Sequence, residues 1–208
     1  MNRRKFNFTY TLASCATVCL AATAAQAADT YTVDPTHTSV VFSVSHTEMS
    51  YTYGFFRKAQ GSYILDEATP TNSKFRFSVE ANSLDTNNEE RDKHLRSADF
   101  FNVQQFPGIT FDSTSVQQVN TTDGTIVYQV TGNLTIHGVT KSVTMPLRML
   151  GKGKGLYGDL RTGFLTQIEL KRSDYGMNNR LDIVGDAVGI TISFEGSIPQ
   201  PGTAPRTQ

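Results

Sequence analysis

The sequence predicts an all-β protein of about eight antiparallel strands with one or two short helical segments. From Tyr31 onward, apolar residues recur at every second position far more often than at every third or fourth, the period of strands with one buried face. The runs are separated by Gly, Asn, Asp and Pro, which favour turns over strand interiors. Most gaps between runs are too short for helical crossovers, so neighbouring strands should be antiparallel.

Residues 1–27 stand apart from this pattern. Arg3, Arg4 and Lys5 precede a stretch of Ala, Leu, Val and Thr that ends in Ala25-Gln26-Ala27. That is the three-part layout of a secretory signal peptide cleaved after Ala27. The general secretory route is the first expectation, while Arg3-Arg4-Lys5-Phe6 also resembles a twin-arginine signal. Leu12-Ala13-Ser14-Cys15 resembles a lipoprotein cleavage box, but Asn7, Thr9 and Thr11 interrupt the residues before it and argue against a lipid anchor. No later segment approaches the roughly 20 apolar residues of a membrane helix, so an exported, soluble domain over 28–198 is expected, without stable membrane insertion.

Cys15 and Cys19 both fall in the leader, so the mature domain is expected to have neither a disulfide nor a thiolate nucleophile or ligand. Taking Arg3, Arg4 and Lys5 from 19 basic residues leaves 16 against 19 acidic ones, a balance of −3. Such a mildly acidic surface does not predict nucleic-acid binding.

The strands follow in order. After a short run at 31–33, Val40, Phe42 and Val44 alternate with Val41, Ser43 and Ser45. A short run at 63–65 precedes the clearest case, in which Phe75, Phe77 and Val79 alternate with Arg76, Ser78 and Glu80. The period continues through Ile109 and Phe111, through Tyr128, Val130, Leu134 and Ile136, and through Val143, Met145 and Leu147. It returns in Phe164, Thr166 and Ile168 and closes with Ile190, Ile192 and Phe194. Long strands of this kind suit either a sandwich or a closed barrel.

Two segments depart from the period. Residues 47–58 have no clean alternation and hold a dense aromatic group around Gly54: Tyr51, Tyr53, Phe55 and Phe56. Residues 86–96 predict a short surface helix, with Thr86 and Glu89 as a capping box and Leu95 as its only strongly apolar residue. "GKGKG" (151–155) predicts a flexible hairpin turn, because it lies between strand-like runs and opens no helix. The tail 199–208, with three prolines, is expected to be disordered.

Chemistry-bearing patterns are sparse. His37, His46, His94 and His137 show no metal-ligand spacing, and there is no G-x-S-x-G elbow. The acids at 85–99 read as solvated first-turn residues of the helix rather than a catalytic pair. The sequence predicts no catalytic residue, no metal and no cofactor. The unusual feature is thirteen Phe with no Trp, much of it on one strand face. That face fits either a solid core or a dry cavity for an apolar ligand.

Several stretches resemble the YceI-like family of exported bacterial proteins. They are "YTVDPTHTSVVFSVSH" (31–46), "YGFF" (53–56), "NEERDKHLRSADFFNVQQFPGITF" (88–111), "GNLTIHGVTKSVTMPL" (132–147), "KRSDYGMN" (171–178) and "VGDAVGITI" (184–192). Met49 and Ser50 stand where many relatives read Leu-Gly, a departure that bears on the shape of the aromatic turn. The resemblance implies an extended, lipocalin-like antiparallel barrel whose tunnel holds an amphiphile with a long polyisoprenoid tail, quinone-like or an isoprenoid phosphate. It implies a periplasmic carrier, store or scavenger rather than an enzyme. An enzyme using a His/Asp site on such lipids is the opposing reading, and a stress-related structural barrel without a specific ligand is a third.

On this basis the candidate wall residues are the inward-parity side chains Phe42, Val44, Phe75, Phe77, Val79, Phe111, Val130, Met145, Leu147, Phe164, Ile190, Ile192 and Phe194. Tyr53, Phe55, Phe100 and Phe101 are expected to line or close an end. His46, Arg91 and Arg172 are the candidate headgroup partners. Exposed aromatics on one edge also suit a homodimer.

Overall fold

A computed structural model describes residues 30–198; the expected leader and tail lie outside the described residues. The strands are β1 (Thr30–Val33), β2 (Ser39–His46), β3 (Ser50–Phe56), β4 (Ala59–Ile64), β5 (Lys74–Glu80), β6 (Leu84–Asp85), β7 (Gly108–Asn120), β8 (Ile126–Ile136), β9 (Val139–Lys154), β10 (Leu160–Lys171) and β11 (Val184–Ile198). One α-helix, α1, covers Glu89–Arg96. All strand pairings are antiparallel, in the order β1-β4-β5-β7-β8-β9-β10-β11, and β1 pairs back onto β11 through Thr32↔Ser197 and Val33↔Gly196. Eight strands thus close a barrel, which decides between barrel and sandwich and leaves those strands without a free edge.

The barrel is longer on one side than its closed ring. A 3-10 turn at Pro35–His37 ends β1 and starts β2, which continues along β11 from Ser39↔Ser193 to His46↔Val184. The hairpin β2–β3 therefore extends the wall, and β3 pairs on its far side with β6 at Phe55 and Phe56. β8 and β9 meet in a two-residue turn, with His137 (φ 49°) and Gly138 (φ 74°) both left-handed as a type I′ hairpin requires. A Cβ on Gly138 would run into the Phe106 ring.

Several local expectations change. Residues 47–58 contain strand β3, in which Tyr51, Tyr53 and Phe55 hide the alternation because these bulky residues occupy its outer face. The helix starts at Glu89, and its N-cap is Asn88, whose side chain accepts from the Arg91 N–H; Thr86 is not the cap. Instead the Thr86 hydroxyl donates to the buried carboxylate of Asp92 and accepts from Arg91 Nε. "GKGKG" is not a turn: residues up to Lys154 complete β9, and the chain reverses at 155–158, where Gly158 has φ +83°. Strands β3 and β6, which lie outside the expected runs, raise the number of strands among the described residues to eleven.

At the closed-ring end, Arg161 donates to Asp34 and Glu195 through Nη1 (2.9 Å each) and to Asp159 through Nε (2.7 Å). Burial pushes the Asp34 carboxyl up, but hydrogen bonds from His37, Arg161 and the Thr36 N–H outweigh it and hold the group at about 2 against 3.8 unfolded. A depressed folded pKa contributes stability that is complete above the unfolded value and lost as pH falls through the folded one. Urea midpoints should therefore fall from about pH 4 to about pH 2, and Asp34→Asn, less stable at neutral pH, should converge with wild type at the acid end. A constant gap between the two across that range would show that Asp34 is not the responsible group.

Candidate functional site

The inner face of the barrel encloses a continuous cavity of about 190 Å³. Its wall is almost wholly carbon, because cross-strand partners place their side chains on the same face. Thus Phe77 stands beside Phe111, Val130 beside Met145, and Ile190 beside Phe42.

Aromatic rings stop the tunnel at the closed-ring end. Tyr31 stacks on Tyr63 (centroids 4.8 Å apart), and Tyr63 stacks on Phe75 (5.3 Å). Phe164, with 0 % exposure, sits among them, meeting Tyr63 at 5.6 Å, Phe75 at 5.9 Å and Phe194 at 5.4 Å. The Tyr63 hydroxyl is hydrogen-bonded to Thr162, and burial pushes its pKa up, so it remains a neutral phenol.

Helix α1 and the loop after it lie across the other end. Leu95, Phe100 and Phe101 line the cavity there, and Phe101 packs edge-on against Phe56. The helix is tied to the body by Arg96, which donates to the carbonyls of Asn82 and Leu84. Phe42 reaches over Gly54 to this region; a Cβ at Gly54 would collide with its ring and with Thr86.

The same end holds a deeply buried cation on the tunnel wall. Arg172 opens a 3-10 turn, Arg172–Tyr175, directly after β10, and is 5 % exposed. Its Nε donates to Gly185 O (2.9 Å), Nη1 to Met177 O and Asn179 O (2.7 and 2.8 Å), and Nη2 to Val184 O (2.8 Å). Burial pushes its pKa down and the charge of Asp186 opposes this, while Asp186 itself accepts from the Ser173 N–H and hydroxyl. The guanidinium thereby holds the segment between the 3-10 turn and β11 in place and presents a face toward Phe100, 5.9 Å from its ring centre.

The structure brings most of the sequence-predicted residues together. Phe42, Val44, Phe75, Phe77, Val79, Phe111, Val130, Met145, Leu147, Ile190, Ile192 and Phe194 line the cavity, as do Phe100, Phe101 and Arg172. Phe164 has the expected inward parity but belongs to the aromatic stop rather than the wall. Four expectations are corrected. Tyr53 (63 % exposed) and Phe55 (38 %) point outward, because Phe42 pairs with Gly54 and so gives the inner face of β3 to Thr52, Gly54 and Phe56. His46 lies exposed at the tip of the β2–β3 hairpin, and Arg91 turns back to bond the Thr86 hydroxyl and carbonyl. Neither lines the cavity.

Tyr175 and Thr166 were missed. Thr166 carries the β10 alternation but is polar, and Tyr175 lies in a 3-10 turn where period-2 reasoning has no purchase. Both line the cavity, are nearly fully buried, and have hydroxyl oxygens without a hydrogen-bond partner. Among the described residues, no three His, Cys, Asp or Glu side chains are arranged to hold a metal. The two His–Asp pairs, His37–Asp34 and His94–Asp99, face outward, away from the tunnel.

A sequence model of the YceI-like domain matches residues 31–196. The UPF0312 protein of Azotobacter vinelandii is 41% identical over 179 residues, covering 85% of this chain and 91% of that protein. Protein YceI of Salmonella newport is 40% identical over 160 residues, 77% of this chain and 81% of its own. Among solved structures, BcnA of Burkholderia cenocepacia matches with a TM-score of 0.70 at 23% identity, over 78% of this chain and 98% of that one. The YCEI protein of Campylobacter jejuni matches at 0.65 with 26% identity, covering 75% and 90%. A polyisoprenoid binding domain from Saccharophagus degradans matches at 0.61 with 15% identity, covering 81% and 98%.

Proposed function

Because the chain belongs to the YceI-like family, we propose that it binds an amphiphilic lipid with a long polyisoprenoid tail, holding the tail in the barrel and acting as a carrier, store or scavenger. The observation that carries this reading is the continuous carbon-lined tunnel between the aromatic stop at Phe164 and the cap formed by Leu95, Phe100 and Phe101. The Saccharophagus degradans domain of the same fold, a polyisoprenoid binding domain, supports it. Burial supplies the affinity: at about 25 cal/mol per Å² of apolar surface, a branched hydrocarbon tail gains many kcal/mol before ordering costs. The headgroup belongs where a polar side chain meets the tunnel, since an unpaired polar group in a carbon-lined cavity costs several kcal/mol.

The signal-like residues 1–27 support a periplasmic location, and no His, Asp or Glu lines the tunnel beside the hydroxyls of Ser62, Thr110 and Thr166 to act on them as a general base. Binding without turnover is therefore the role proposed. The test is mass spectrometry of an organic extract of protein purified from its native host. One prenyl lipid in near-stoichiometric amount is the expected result; protein consistently free of prenyl lipid would sink the reading.

A further inference from the structure

We propose that the outer edge of β3 pairs with the same edge of a second copy of this chain, Tyr51 against Tyr53 and Tyr53 against Tyr51, about a two-fold axis through Thr52. The pairing is independent of what the tunnel holds.

Only one edge of β3 is fully used. Along it, every residue from Ser50 to Phe56 pairs with β2. Along the other, β6 pairs with Phe55 and Phe56 alone, and the Arg57 N–H continues that register by donating to the Ser83 carbonyl. In an antiparallel strand, the N–H and C=O of one residue point to the same side, and the side alternates from residue to residue. The Arg57 bond therefore places the backbone groups of Tyr51 and Tyr53 on the β6 side, where no backbone group among the described residues meets them.

The chain that could have continued β6 is diverted. The same register would set Asn87 opposite Tyr53, but Asn87 is left-handed (φ 60°) and its N–H is taken by Asp85 Oδ1. The Thr86 N–H goes to Asp92 of α1. Composition does not guard the edge either, since residues 49–56 contain no charge and no proline, and Tyr51 and Tyr53 are 65 % and 63 % exposed. Open strand edges are usually blunted by such residues, lysine above all. Residues 150–154 of β9, which project past its last pairing with β8 at Val127↔Arg148, carry Lys152 and Lys154.

Length and symmetry select the occupant. The open stretch runs from Ser50, where the 47–49 turn ends, to Gly54, where β6 begins to cover the edge, and Thr52 is its centre. A second copy offers a stretch of equal length, and a two-fold contact uses one patch twice. About Thr52, each Tyr51 exchanges both backbone hydrogen bonds with a Tyr53, and the tyrosine side chains lie in pairs on the outer face. The two Thr52 residues then meet on the axis as a non-hydrogen-bonded pair, the closest side-chain approach in such a ladder. Sliding by two residues would set Tyr51 against Phe55, whose edge β6 holds, or Tyr53 against Met49 in the turn.

Sedimentation of protein purified from its native host should show monomer and dimer in reversible exchange through the micromolar range, as for a small interface. Tyr53→Pro removes an N–H from the outer edge and none of those bonded to β2, so it should fold and dimerise at least about ten-fold more weakly. Thr52→Cys should form a disulfide-linked dimer on mild oxidation, because like residues meet at the axis. Tyr51→Cys should not, since the two copies of that residue lie diagonally, roughly 7–8 Å apart and beyond disulfide reach. Wild-type chain is the control for links through Cys15 or Cys19, and the cysteine variants decide alone if Tyr53→Pro misfolds. Protein that stays monomeric, a dimer unchanged in a folded Tyr53→Pro, or Thr52→Cys that links no more readily than Tyr51→Cys would overturn the proposal.

Discussion

Arg172→Met is expected to lower the unfolding free energy by about 3–5 kcal/mol, the range for breaking a buried, fully hydrogen-bonded charge site. Met matches the length and flexibility of the stem but donates nothing, so the carbonyls of Met177, Asn179, Val184 and Gly185 lose their shared partner at once. Arg172→Lys should recover little, because an ammonium is a point charge with three donors and cannot span four carbonyls that a planar fork reaches. Urea unfolding checks the magnitude. Amide hydrogen exchange over 173–185 checks the location, since loss of the anchor should free that segment at far lower free energy than the barrel strands. A lysine variant with wild-type stability and protection would show that charge, not the fork, is what the site needs.

The second large effect is at the aromatic stop. Phe164→Ala should destabilise the barrel by about 3–5 kcal/mol, as for other fully buried Phe side chains. Rings of Tyr63, Phe75, Phe194 and Tyr128 surround the site and cannot all collapse into the space, since each is fixed to a different strand. A domain of this size loses about 2–4 °C in Tm per kcal/mol, so a fall on the order of 10 °C is expected by calorimetry. The cavity created lies in line with the tunnel. Lipid extracted from this variant should accordingly shift toward longer tails than lipid from wild-type protein, whereas Phe164→Leu should shift it less. An unchanged tail distribution would show that the stop does not set ligand length.

Much of the wall was legible because strand parity is a local property. Phe75, Phe77 and Val79 alternate with charged and hydroxyl residues, and any strand containing them must put them on one face. The parity of β3 was not legible, because it is fixed by a partner: His46↔Ser50 sets the register, so the bulkiest residues, Tyr51, Tyr53 and Phe55, face outward and a glycine faces in. Depth along the axis is equally absent from a period-2 pattern. Phe164 and Ile192 have the same inward parity, yet one closes the tunnel and the other lines it. Arg172 lies beyond the end of β10, where no periodicity constrains it and only the folded carbonyls of Met177, Asn179, Val184 and Gly185 reveal what it is for.

A tunnel stopped by aromatic packing at one end and covered by α1 and its loop at the other gives its contents a release rate that need not follow their affinity. Escape through the aromatic stop would require rings buried in the barrel core to part, whereas the cap is held by the bonds of Arg96 to Asn82 and Leu84 and by the edge-on contact of Phe101 with Phe56. Two lipids of unequal binding strength would then leave at nearly the same speed, the speed of cap opening, and a partner that loosens the cap could empty the barrel without competing for the tail.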